Sequence, residues 1–236
     1  MDNVQRFLHR YHTKHYVKGE IILSQDEVPA LAYMIKKGVI KTYNLTADGE
    51  EKPISFDIRG EIFPAGWVFG KLKRCQYFYE AFTDCELYCL PPEDYRQFIQ
   101  THPDVLYTVF NNFVGRYLYF QMRVNALEQS KASAKVLYTI HFLALRFGYD
   151  IKPNVVRIPL PLTQQDLANF MGLTRETTSM ELKKLQNEGI ISYRNQQYTV
   201  KTDKLNDCLD EEYDHAGLRA QTAKDPASPL SEHMLP

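Results

Sequence analysis

The sequence predicts an α+β chain: an N-terminal jelly-roll-like β-roll, a long helix, and a C-terminal winged helix-turn-helix. Three observations predict it. About the first 100 residues carry short apolar segments punctuated by turn signals. A heptad of large apolar residues follows Pro103. Two short helix patterns with capping residues, then a hairpin pattern, occupy Leu162 to Val200.

The β-roll reading rests on Gly19 to Leu23, Ala32 to Ile35 and Val39 to Tyr43, which are apolar or alternating. Asp48-Gly49, Arg59-Gly60 and Pro91-Pro92 separate such runs as turns. Short strands at this spacing suit a closed or two-layered β domain.

The helix reading follows from Leu106, Phe110, Phe113, Tyr117, Phe120, Val124 and Leu127, spaced 4, 3, 4, 3, 4 and 3. That period is a coiled-coil seam, and it predicts a dimer. Packing of the helix on its own β domain is the other reading, and the two are compatible. A further helix is predicted over Ala132 to Phe147, stopped by Gly148. These patterns divide the chain into a β-roll at 1–101, a dimerisation helix at 102–130, a winged helix at 131–203 and an acidic tail at 204–236. The tail's polarity and prolines predict disorder.

Within the winged helix, Thr163 caps one helix, with Asp166 placed to complete a capping box. Gly172 sits at the turn, and Thr174 caps the second helix. Thr178, Leu182 and Leu185 form that helix's inner face. Arg175, Glu176, Ser179, Met180 and Lys183 are left outward. Arg175 can donate to guanine, Glu176 can accept from cytosine, and Met180 can touch a thymine methyl. Lys183, Lys184 and Arg194 suit phosphates, and Thr163, Gln164 and Thr174 lie at the helix starts that approach the backbone. The strands 190–193 and 197–200 make the wing. From Lys131 to Lys201 ten basic residues face five acidic ones, a balance of +5 that the whole-chain charge of -1 conceals. A winged helix used only for protein contacts is the alternative.

Bulk composition excludes several classes. Hydrophobic residues make up 44% and charged residues 24%, as in ordinary globular chains. The apolar runs are too short to span a membrane, and the first ten residues lack a secretory core. Four cysteines in 236 residues are too few for a disulfide scaffold, which suits a reducing cytoplasm.

Leu162-Thr163-Gln164-Gln165-Asp166-Leu167-Ala168, then Gly172-Leu173-Thr174-Arg175-Glu176-Thr177, then Leu185 and Gly189-Ile190-Ile191 resemble the helix-turn-helix of the CRP/FNR family. Tyr33 to Ile40 resembles strands of that family's sensor β-roll, Gly60-Glu61-Ile62-Phe63 its next glycine turn, and the helix from Asp104 its dimer helix. The resemblance implies a homodimeric transcription regulator that reads an imperfect palindrome in double-stranded DNA, with RNA polymerase as a further candidate partner. It implies no enzyme activity, metal or cofactor. Two departures bear on mechanism. Family members that bind cyclic nucleotides carry a Gly-Glu-Leu turn and an Arg-Ser pair. Here Pro64-Ala65-Gly66 and Cys75-Gln76 stand in their places, so the phosphate lacks its cation and control by cyclic nucleotide is not expected. Met180 stands where the family usually has Arg, so the half-site should differ.

Phe63, Pro64, Trp67, Arg74, Tyr77 and Tyr79 fall where family effectors bind. They form either an apolar effector pocket or packed core. Cys75, Cys85 and Cys89 read as core thiols, with redox sensing as the alternative. His9, His12 and His15 read as a solvated lead-in rather than a metal site. A metal-dependent β-roll enzyme would need strand histidines, and Ile21 to Tyr79 holds none.

Overall fold

The computed structural model describes residues 3–216. The chain divides into two compact units, residues 1–114 and 115–236. The first begins with α1 (Asn3–Leu8), β1 (Thr13–Tyr16), β2 (Ile21–Leu23), β3 (Ala32–Lys37), β4 (Ile40–Leu45) and β5 (Glu51–Asp57). It continues through β6 (Ile62–Phe63), α2 (Ala65–Val68), β7 (Phe78–Ala81), β8 (Cys85–Leu90), α3 (Pro92–Thr101) and the start of α4 (Pro103–Glu128).

The strands form two antiparallel sheets, ordered β1-β8-β3-β6 and β2-β7-β4-β5. Tyr16, Ile35, Phe63 and Leu87 of the first sheet meet Leu23, Ile40, Tyr79 and Ala81 of the second in one buried cluster. The outer face of the first sheet is covered by helices. There Met34, Ile62 and Leu90 pack with Phe7, Tyr95, Phe98, Ile99 and Val105. Cover on both faces explains why the first four residues of β3, Ala32 to Ile35, carry no charge.

Two expectations for this unit need correction. Pro91-Pro92 is not a hairpin turn: Pro91 is the N-cap of α3, and Pro92 occupies its first turn. Proline is tolerated there because that N–H has no helical acceptor, and Glu93 and Asp94 favour the positive helix end. The first hundred residues are therefore not wholly β.

The second unit holds the rest of α4, α5 (Ala132–Phe147), β9 (Tyr149–Lys152), β10 (Val155–Ile158), α6 (Gln164–Met171) and α7 (Arg175–Asn187). It ends with β11 (Ile191–Arg194), β12 (Gln197–Lys201) and α8 (Thr202–Ala216). Its antiparallel sheet has the order β11-β12-β10-β9. Leu143, Ile158, Leu160, Leu162, Leu167, Leu182 and Val200 are buried at 1% exposure or less. The predicted helix Ala132 to Phe147 is α5, and Gly148 does end it. The reason is close packing: a Cβ at Gly148 would collide with the Ala144 carbonyl and Val156.

The acidic tail is corrected over its first part. Residues 202–216 are helical, not disordered, because Leu205 and Leu209 lie four apart and are both buried. Lys204 Nζ also donates to the Glu188 carbonyl at the end of α7 (2.9 Å). Residues 217–236 lie outside the described residues.

Candidate nucleic-acid interface

The helix-turn-helix is built by local chemistry. Thr163 Oγ1 accepts from the Asp166 N–H at 3.1 Å, and Asp166 Oδ2 accepts from the Thr163 N–H at 2.8 Å. This capping box starts α6. Gly172 ends it at φ 66°, a left-handed conformation that glycine adopts without steric cost. Thr174 Oγ1 then accepts from the Thr177 N–H at 3.2 Å and starts α7.

One face of α7 is buried. Thr178 and Leu182 are at 0% and 1% exposure, and Leu185 is half-buried. The opposite face carries Arg175, Glu176, Met180 and Lys183, all exposed, with Ser179 half-buried among them. Met180 is 53% exposed. Among the described residues, Lys184 has a partner that its neighbour Lys183 does not show. It pairs with Glu181 at 2.8 Å, and Glu181 is only 7% exposed, so this cation is engaged within its own helix.

The wing is a tight hairpin. Arg194 pairs with Gln197 across a two-residue turn, in which Asn195 and Gln196 have φ 51° and 60°. Consecutive positive φ values match the right-handed twist of the strands. Arg194 is exposed at the hairpin's end. The Tyr193 hydroxyl donates to the Leu162 carbonyl at 3.3 Å, which ties the wing to the segment entering α6. Tyr193 was not singled out from sequence; only the fold brings it to Leu162, 31 residues away. Thr163 and Thr174 are exposed, but their hydroxyls serve as caps. Gln164, at the first position of α6, is half-buried.

The seam of α4 is uncovered. Leu106, Phe110, Phe113, Tyr117, Phe120 and Val124 are 39–65% exposed, and Leu127 is half-buried. Tyr107, Val114 and Leu118 widen the stripe. Among the described residues, nine of the seventeen large exposed apolar side chains lie on this helix. They form a patch rather than scattered exposures, and such a patch marks an interaction surface.

Of the six β-roll residues expected near an effector, Phe63 and Tyr79 are brought together, and Trp67 and Arg74 lie apart from them. Phe63 stacks on Tyr33 (centroids 5.5 Å apart) and on Tyr79 (5.1 Å), and Tyr16 meets Tyr33 edge-on (6.5 Å). This ladder occupies the space between the sheets. Pro64 is buried as the N-cap of α2. Trp67 packs against the helix-layer cluster instead. Arg74 is exposed and donates to the Asp26 carbonyl at 2.9 Å. Tyr77 is half-buried.

Cys75 is buried in the inter-sheet cluster, and burial pushes its thiol up to about 11. Cys85 and Cys89 are also buried and shifted upward by burial. One buried acidic side chain was missed. Asp57 pairs in register with Ile40, so its side chain shares the inward face, where it accepts from Thr42 Oγ1 at 2.9 Å. Among the described residues no His, Cys, Asp or Glu group of three or more is placed to hold a metal ion. No helix among them is long and apolar enough to cross a membrane.

A two-sheet β-roll, a long helix and a winged helix-turn-helix with an outward-facing second helix define the class: a DNA-binding transcription regulator. Residues 13–102 match the model of the cyclic nucleotide-binding domain, and residues 134–207 that of the Crp-like helix-turn-helix domain. The chain belongs to the CRP/FNR family of transcription regulators. It is 25% identical to the nitrogen fixation regulation protein FixK of Bradyrhizobium diazoefficiens, over 80% of this chain and 78% of that one. It is 27% identical to the global nitrogen regulator of a Synechocystis strain, over 71% and 75%. The FixK2 structure from Bradyrhizobium japonicum superposes with TM-score 0.66 at 20% identity, covering 90% of this chain and 99% of that one.

Proposed function

We propose that this regulator works as a cytoplasmic homodimer joined along α4, and that it reads an imperfect palindrome with its two α7 helices. Residues 1–101 serve as the sensor-type β-roll, 102–130 as the dimerisation helix and 131–203 as the DNA-binding domain. The observation that carries this reading is the outward face of α7, capped at its start and bearing Arg175, Glu176, Met180 and Lys183 in solvent.

The division of labour follows from chemistry. Arg175 and Glu176 lie in the first turn, which enters the major groove most deeply, and they take base edges. Met180 offers an apolar contact one turn on. Lys183 and Arg194 are exposed cations for phosphates, with the helix starts at Thr163-Gln164 and Thr174 supplying backbone N–H groups. RNA polymerase is the partner such a regulator contacts once seated on DNA.

We further propose that the β-roll does not take a cyclic nucleotide. A buried cyclic phosphate needs a cation beside it. At the position of that cation lies Cys75, buried and uncharged. Arg74 points to the Asp26 carbonyl, the Tyr33–Phe63–Tyr79 stack lies between the sheets, and Asp57 adds a buried acidic side chain on the same face.

Selection from a randomised DNA duplex pool tests the reading. The expected product is a palindrome whose half-sites are about 10 base pairs apart, centre to centre. Arg175→Ala should weaken binding to it by about 1–3 kcal/mol and relax one base position. Lys183→Ala should weaken all sequences alike. Failure to enrich any sequence, with no retention of duplex DNA, would overturn the reading. Calorimetry with cyclic AMP and cyclic GMP should give no binding heat; one-to-one micromolar binding lost in Arg74→Ala would overturn the sensor proposal.

A further inference from the structure

Arg123 lies on α4, within the helix proposed to join the two chains, but away from the exposed seam. Its guanidinium sits 3.5 Å from the centroid of the Phe170 ring. Its Nη1 also donates to the Phe170 carbonyl at 3.3 Å. Phe170 is the penultimate residue of α6, the first helix of the reading pair. Carbonyls in a last helical turn have no later helical N–H to meet them, and a cation there complements the helix dipole. The Phe170 ring in turn stacks on Phe142 of α5, with centroids 6.1 Å apart. Two residues beyond Phe170 stands Gly172, the turn that aims α7.

We propose that Arg123 is a positioning residue that fixes the angle of the reading pair on the dimer helix, and so sets the half-site spacing the dimer accepts. The inference rests on the proposed dimeric reading and deepens it. The planar guanidinium is suited to the task. It lies over the ring while its Nη1 donates to the carbonyl of the same residue, and this two-point contact restrains rotation of α6 about α4. A lysine would keep the charge but lose the plane and the fork. Tyr119 holds α4 to α5 separately, through its hydroxyl on the Leu145 carbonyl (3.3 Å) and its ring beneath Arg146 (5.2 Å). Removal of Arg123 therefore loosens the direct hold of α4 on α6 while α4 and α5 stay joined, and leaves α6 seated through Phe142 and the α5 core. Burial pulls the Arg123 guanidinium down to about 10, so it keeps its charge at neutral pH.

The test uses the full-length protein and the palindrome obtained by selection. Band-shift titrations compare that duplex with versions whose half-sites are moved by one or two base pairs, and with a single half-site. Two base pairs turn one half-site by about 70° around the duplex axis. The wild-type protein should lose about tenfold or more in affinity at two base pairs. Arg123→Ala and Arg123→Lys should shrink that loss to about threefold or less, with half-site affinity within about twofold of wild type and dimer mass unchanged. A purely structural role would lower affinity on every duplex without altering the spacing profile, and that result overturns the proposal. So does a spacing optimum as sharp in both variants as in the wild type. If Arg123→Ala does not fold, Arg123→Lys decides alone. A wild-type protein with no spacing optimum would instead overturn the two-half-site reading, and this inference with it.

Discussion

The exposed stripe on α4 makes the sharpest energetic prediction. Phe113 and Phe120 are 65% and 56% exposed in the single chain. An aromatic side chain presents about 200 Å², so these two leave roughly 130 and 110 Å² uncovered. At about 25 cal/mol per Å², covering each is worth about 3 kcal/mol, or about 12 kcal/mol gross for the four rings of a symmetric pair. Association itself costs about 4–15 kcal/mol in lost freedom, so these rings decide whether the dimer forms. Phe113→Asp with Phe120→Asp removes their contribution and places four carboxylates in the apolar seam. The dimer dissociation constant should rise by at least about 1,000-fold. Sedimentation equilibrium at micromolar concentration should then find monomers with an unchanged circular dichroism spectrum, because neither ring belongs to a monomer core. DNA affinity should fall with the dimer. A variant that stays dimeric at micromolar concentration would refute the argument, and so would a monomer that binds the palindrome as tightly as wild type.

Three further outcomes follow from buried groups and caps. Burial pulls His141 down to about 4 from its ordinary 6.5, so the unfolded chain binds the proton first as pH falls. Stability is then full above pH 6.5 and declines by at most about 3 kcal/mol towards pH 4. His141→Phe should flatten urea-melt stability across that window, and an unchanged slope would contradict it. Thr163→Ala removes the hydroxyl of the capping box and should cost about 1 kcal/mol, seen as a melting temperature lower by about 2–4 °C; no shift would show the box to be inert. Iodoacetamide under native conditions should label Cys208, which is half-exposed, before the buried and upward-shifted Cys75, Cys85 and Cys89. Rapid labelling of Cys75 would favour a redox role.

The parts of the fold legible in the sequence are those written locally. Thr163, Asp166, Gly172 and Thr174 each act within a few residues of themselves, so α6, the turn and α7 follow from spacing alone. The α4 seam is legible because a 3.5-residue period survives without a partner. Elsewhere local signals misled. The acidic composition of 203–214 hid Leu205 and Leu209, whose burial against the winged helix orders α8. The effector residues are spread for a geometric reason: β6 ends with Phe63 in the inter-sheet core, and the short helix α2 then carries Trp67, four residues on, to the helix layer. Arg123 gave no signal at all, because its partner lies 47 residues away.

The central claim is that the exposed face of α7 binds DNA as part of a dimer. Fluorescence anisotropy of the selected palindrome, titrated with wild-type protein from 50 to 200 mM salt, tests it most directly. A dimer that neutralises several phosphates through Lys183, Arg194 and the helix starts should lose affinity by about 10³-fold or more across that range, with log K linear in log salt. The same duplex should outcompete scrambled DNA by about 10³-fold or more at the upper salt. Affinity independent of salt, or equal for palindrome and scrambled duplex, would contradict it.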